Sequence, residues 1–89
     1  MKGKRVLVVE DNEINLEIME DMLDCMGFAV KGAEHGKAAV ELLAGASKED
    51  FDVVLMDLHM PVMDGIEATV EIRRLSSPLK DIPILAMTG

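Results

Sequence analysis

A chain of 89 residues admits one domain, and with about half of them apolar it carries the material for a single small core. A formal net charge of −8 excludes non-specific nucleic-acid binding, which needs clustered Lys and Arg, and favours an acidic pocket that holds a cation. One cysteine excludes an intrachain disulfide, and no apolar run approaches the roughly 20 residues of a membrane helix. With no signal-peptide pattern at its start, the chain is expected in the cytoplasm and away from membranes.

Arg5–Val9 (RVLVV) is a short continuous apolar run, the pattern of a strand buried on both faces of a parallel sheet. Asn12 is placed as the N-cap of a helix. Ile14, Ile18, Met22 and Cys25 then form one apolar stripe, and Leu16, Met19, Leu23 and Met26 the next. Five acids take most of the remaining surface, and Gly27 ends the helix. In this reading Cys25 is a small buried residue.

Phe28–Ala33 is a weaker strand, expected near a sheet edge. Gly36–Ala44 is a second helix ended by Gly45, with His35 facing solvent near its start. Phe51–Met56 is a second strong strand. Asp64-Gly65-Ile66-Glu67 has capping-box spacing and begins a third helix, which Ser76-Ser77-Pro78 breaks. Pro83–Met87 is a fourth strand. The order β-α-β-α-β-α-β implies right-handed crossovers and a parallel sheet with helices on both faces.

Ligands of such sheets bind outside the carboxyl ends of the strands. There the first strand runs into Glu10-Asp11, the third into Asp57 and the fourth into Thr88. If the first, third and fourth strands are neighbours, three carboxylates and a hydroxyl meet at one edge. Carboxylates that close repel, at about 4 kcal/mol per pair for ~4 Å and an effective dielectric near 20. A proton or a cation must relieve them. An all-oxygen donor set suits Mg²⁺, which accepts one or two carboxylates and bridges to phosphate. A carboxylate in such a site is itself a nucleophile that yields an acyl phosphate. Thr88 has a hydroxyl to donate to a phosphoryl oxygen.

Three stretches, VLVVEDNEIN (6–15), VVLMDLHMPVMDG (53–65) and PILAMTG (83–89), resemble the response-regulator receiver domains of two-component signalling, above all those attached to hybrid sensor kinases. The resemblance implies a flavodoxin-like α/β fold with the first four strands and three helices present, residues 1–89 forming the N-terminal portion of the domain. It implies a phospho-acceptor module rather than a turnover enzyme. Asp57 would be the acceptor and Thr88 the switch hydroxyl. Glu10, Asp11, Asp57 and the backbone carbonyl of His59 would hold Mg²⁺. The implied partner is a histidine kinase or a histidine phosphotransfer protein. Met60-Pro61 and Asp64-Gly65 would shape the loop after the acceptor.

The departures are specific. A complete receiver continues past Thr88 with a helix, a fifth strand bearing a lysine, and a last helix. Lys80 precedes the fourth strand and does not take that lysine's place. The fourth strand is then an open edge and the first helix lacks a neighbour, both being surfaces for homo-oligomerisation. The other reading is therefore a truncated or engineered receiver fragment that self-associates and is not competent for phosphotransfer. A phosphatase with an aspartyl-phosphate intermediate fits less well, because such enzymes commonly carry a second acid two residues past the nucleophile, where this chain has His59.

Overall fold

The computed structural model describes residues 4–47, 49–57 and 65–87. Their elements run in the expected order: β1 (Arg5–Val9), α1 (Glu13–Cys25), β2 (Ala29–Ala33), α2 (Gly36–Ala44), β3 (Val53–Asp57), α3 (Gly65–Arg73) and β4 (Ile84–Met87). All pairings are parallel, and the sheet order is β2-β1-β3-β4, that of a flavodoxin-like sheet. The weak second strand lies at one edge, as its sequence suggests, and β4 at the other.

Three strands begin later than the apolar runs imply, for local reasons. Phe28 spends its N–H on the carbonyl of Leu23, and Pro83 has no N–H. Ahead of β3, Asp52 accepts the Arg5 N–H on its side chain at 2.8 Å. Asp64 lies outside the described residues, and α3 is described from Gly65.

Alternation along the central strands builds two half-cores. Leu7 and Val9 of β1 and Val54 and Met56 of β3 face α2 and α3, where they meet Ala39, Leu43, Ala68 and Ile72. Val6 and Val8 face α1 and meet Leu16, with Val53 and Leu55 beside them. The buried Ser77 ties the loop before β4 to α2, its hydroxyl donating to the Leu43 carbonyl at 2.7 Å. Arg73 ends α3 and donates from Nη1 to the carbonyls of Lys80 and Ile82, both at 2.7 Å, which anchors the approach to β4.

Helix α1 is bounded as expected. The Asn12 side chain accepts the Asn15 N–H at 3.0 Å. At the other end Gly27 takes φ 92°, the Phe28 N–H reaches Leu23 and the Gly27 N–H reaches Asp24. This is the Schellman arrangement, and only glycine reaches that backbone region without strain. Of the two apolar stripes, Leu16, Met19 and Leu23 pack on the sheet. Ile14, Ile18 and Met22 are exposed, and Cys25 is exposed with them rather than buried. Cys25 shares their stripe, which points away from the sheet. Among the described residues α1 alone covers its sheet face, and none of them lies over β3 and β4 on that side. There a groove of about 380 Å³ is lined by Leu23, Phe28, Val53, Leu55 and Leu85.

His35 is also corrected: it is half-buried and serves as the N-cap of α2, not as a solvent-facing side chain.

Two outcomes follow for urea unfolding. Ile72 is fully buried and Ile18 is 51% exposed, so Ile72→Ala costs about 2–5 kcal/mol while Ile18→Ala stays within about 0.5 kcal/mol. At Gly32 an added Cβ would lie 2.9 Å from a Glu20 carboxylate oxygen and 3.1 Å from Leu16. Gly32→Val therefore overpacks the α1–β2 contact and costs about 1–3 kcal/mol.

Candidate functional site

Pairing of β1 with both β2 and β3 carries the acids to one place. Val9 pairs with Ala33 on one side and Met56 on the other. The next residue of β3 is Asp57, still within the strand and in register with Met87 of β4. The Glu10 N–H continues the ladder to the Ala33 carbonyl at 3.0 Å, which fixes the backbone where β1 ends. From there the chain turns directly into the Asn12 cap of α1.

The three acids differ in setting. Asp57 is buried at 7% exposure, Glu10 is half-buried and Asp11 is exposed. Each offers a carboxylate oxygen, and these oxygens lie within 4.8 Å of one another. Glu10 also accepts the Asn12 N–H on Oε1 at 3.1 Å.

The electrostatic strain shows at Glu10, whose carboxyl is held above the usual carboxylate range. Burial is the largest cause, and the negative charge of Asp57 and hydrogen bonds to Asp57 and Asp11 add to it. The Asn12 N–H opposes the shift by stabilising the ionised form. A proton on Glu10 or a divalent cation in the cluster would relieve the repulsion. An all-carboxylate donor set at this separation fits a hard oxygen-seeking cation, and among the described residues it contains no thiol or imidazole that would favour zinc.

Thus the structure brings together Glu10, Asp11 and Asp57 as expected. His59 and Thr88 lie outside the described residues, as do Met60 and Pro61. Two supporting groups escape sequence reasoning. The Asn12 N–H on Glu10 is foreshadowed only by its place at the N-cap. The Arg73 link to the approach of β4 spans seven and nine residues and has no local signature.

Comparison with known proteins agrees with this geometry. The response regulator receiver domain family matches residues 6–89. The sensor protein GacS of Pseudomonas syringae is 42% identical over 90 residues, which take in 99% of this chain and 10% of that protein. The receiver domain of the sensor histidine kinase PA1611 from Pseudomonas aeruginosa, solved with a magnesium ion coordinated in its active site cleft, superposes with a TM-score of 0.84 at 37% identity. That match covers 94% of this chain and 66% of the other. The receiver domain of the histidine kinase CKI1 from Arabidopsis thaliana, complexed with Mg²⁺ and BeF₃⁻, gives a TM-score of 0.85 at 38% identity, covering 99% of this chain and 67% of the other. The chain spans about a tenth of the length of curated relatives such as GacS. With acids at the strand ends, a flavodoxin-like sheet order and these likenesses, the chain belongs to the response regulator receiver domain family.

Proposed function

We propose that this domain accepts a phosphoryl group on Asp57 from a phosphohistidine donor, a histidine kinase or a histidine phosphotransfer protein, with Mg²⁺ as cofactor. The observation that carries the reading is the convergence of Glu10, Asp11 and Asp57 at the strand ends, with Asp57 the most buried of the three. Glu10, Asp11 and Asp57, with the His59 carbonyl, would hold the ion. When bound, Mg²⁺ supplies positive charge that offsets the carboxylates and the phosphoryl oxygens.

The remaining work falls to the chain. One Asp57 oxygen forms a bond to phosphorus in line with the departing nitrogen. The P–N bond breaks, and its electron pair stays with the donor's imidazole. The strand backbone fixes Asp57, so the nucleophile arrives oriented and little order is lost in reaching the transition state. Glu10 is held by its N–H to Ala33 and by the Asn12 N–H on its carboxylate. Thr88, which follows Met87 in the sequence, would donate its hydroxyl to a phosphoryl oxygen.

Self-association is a second reading, favoured by a separate observation. Among the described residues β4 pairs only with β3, and its Leu85 is 57% exposed beside the apolar groove. A folded chain that takes no phosphoryl group and sediments as an oligomer would support it.

Intact-mass spectrometry after incubation with Mg²⁺ and acetyl phosphate tests phospho-acceptance. One phosphoryl adduct is expected, absent from Asp57→Asn and abolished by EDTA. A folded wild-type chain with no adduct would overturn the proposal.

The raised Glu10 carboxyl gives a second outcome. In EDTA the folded state binds that proton more tightly than the unfolded chain. The contribution is therefore present in acid and is lost as pH rises from about 4.5 through the raised value. Glu10→Gln is expected to raise the thermal midpoint at pH 7 in EDTA and to flatten its pH dependence. With saturating Mg²⁺ the wild type is expected to gain more than the variant, since ligand binding to the folded state adds RT ln(1 + [L]/Kd).

A further inference from the structure

We propose that Asn12 is a positioning residue for the acidic site: by capping α1 itself, it starts the helix past Asp11 and keeps that carboxylate for the cation. The inference rests on the reading of Glu10, Asp11 and Asp57 as the Mg²⁺ site. Asp11 and Asn12 are adjacent, and aspartate caps a helix about as well as asparagine. The chain leaving β1 therefore has two competing helix starts. A cap on Asp11 would spend its carboxylate on the Ile14 N–H, three residues on. A cap on Asn12 spends a neutral amide on the Asn15 N–H instead.

The structure takes the second start. The Asn12 Oδ1 accepts the Asn15 N–H at 3.0 Å. The Asn12 carbonyl accepts the Leu16 N–H at 2.9 Å, the first bond of the helix. The Asn12 backbone is extended, φ −82° and ψ 114°, so its own N–H stays outside the helix. That N–H donates to Glu10 Oε1 at 3.1 Å. One residue thus serves both of its acidic neighbours. Its backbone holds Glu10, and its side chain relieves Asp11 of the cap. The Asp11 carboxylate is turned to Glu10 and lies in the cluster with Asp57.

The competition is real because the cluster repels its own members. An acid that leaves it for the helix start escapes the charge of Asp57 and gains an orphan N–H. With the Asn12 amide removed, Asp11 is the adjoining side chain able to cap, and Ile14 offers the donor. An incoming cation must then draw Asp11 back from the helix before it can bind. The ladder bond from the Glu10 N–H to the Ala33 carbonyl holds the chain up to that point, so the change is confined to the turn between β1 and α1.

The test is titration calorimetry with MgCl₂ on wild type, Asn12→Ser, Asn12→Ala and Ile72→Val. Serine keeps a cap oxygen, and its Kd is expected within about twofold of wild type. Asn12→Ala is expected to bind about tenfold more weakly, the low end of what a lost supporting partner costs a metal site. Ile72→Val trims the core between α2 and α3 and controls for lost stability as such; its Kd is expected to be unchanged. Equal affinities for wild type and Asn12→Ala overturn the proposal, as does an equal loss in Ile72→Val. Amide exchange in EDTA reads the cap without the ion. Asn15 is expected to be better protected than Ile14 in the wild type, with the order reversed in Asn12→Ala. An unchanged order in Asn12→Ala overturns the cap competition whether or not Mg²⁺ binds. A wild type that takes no Mg²⁺ overturns the metal reading, and the exchange pattern still decides the cap.

Discussion

Parallel pairing of β1 with β3 is the constraint on which the molecule depends. A parallel strand pair cannot be closed by a tight turn, so helices must carry the chain back across the sheet. Both strands are then covered on two faces and must be apolar throughout. The same pairing aligns the strand ends, and any polar residue that follows the apolar run is delivered to one edge. Glu10, Asp11 and Asp57 meet there because Val9 is level with Met56. Core and site are consequences of a single register. A slip of one residue would reverse which side chains face each helix and would separate the acids.

The site works against the stability of the fold that creates it. Burial raises the proton affinity of Glu10, and the neighbouring carboxylates add to it. This cost is tolerable because the backbone around them is secured elsewhere, by the ladder bond from Glu10 to Ala33, the Asn12 cap and the buried flanks of β1 and β3. A divalent cation would relieve the same repulsion.

The two sheet faces are unequal. One is closed by α2 and α3, pinned at the loop before β4 by Ser77 and Arg73. Among the described residues the other carries α1 alone, with a groove over β3 and β4 and an exposed stripe of Ile14, Ile18 and Met22. The helices are also capped by different chemistry. Asn12 offers α1 an amide oxygen, and His35 offers α2 a ring nitrogen.

Much of this is written in local patterns. The valine-rich run of β1, the Asn12 cap, the Gly27 stop and the acids after the strands are legible because each depends on neighbours within a few residues. The approach of Glu10, Asp11 and Asp57 follows once the strand order is taken as given. Other features depend on contacts that a linear pattern does not contain. Cys25 belongs to an apolar stripe, and only the placement of α1 over one side of the sheet decides which stripe meets the core. His35 is a polar residue before a helix, and whether it caps or faces water rests on the extended backbone that β2 delivers to it. Arg73 finds its carbonyl partners beyond the end of its own helix. The sequence by itself determined the elements and the chemical character of the strand ends, because propensity, periodicity and capping are short-ranged. The tertiary structure alone decided which apolar face is covered and how close the acids come, because both are set by the register of strands far apart in the chain.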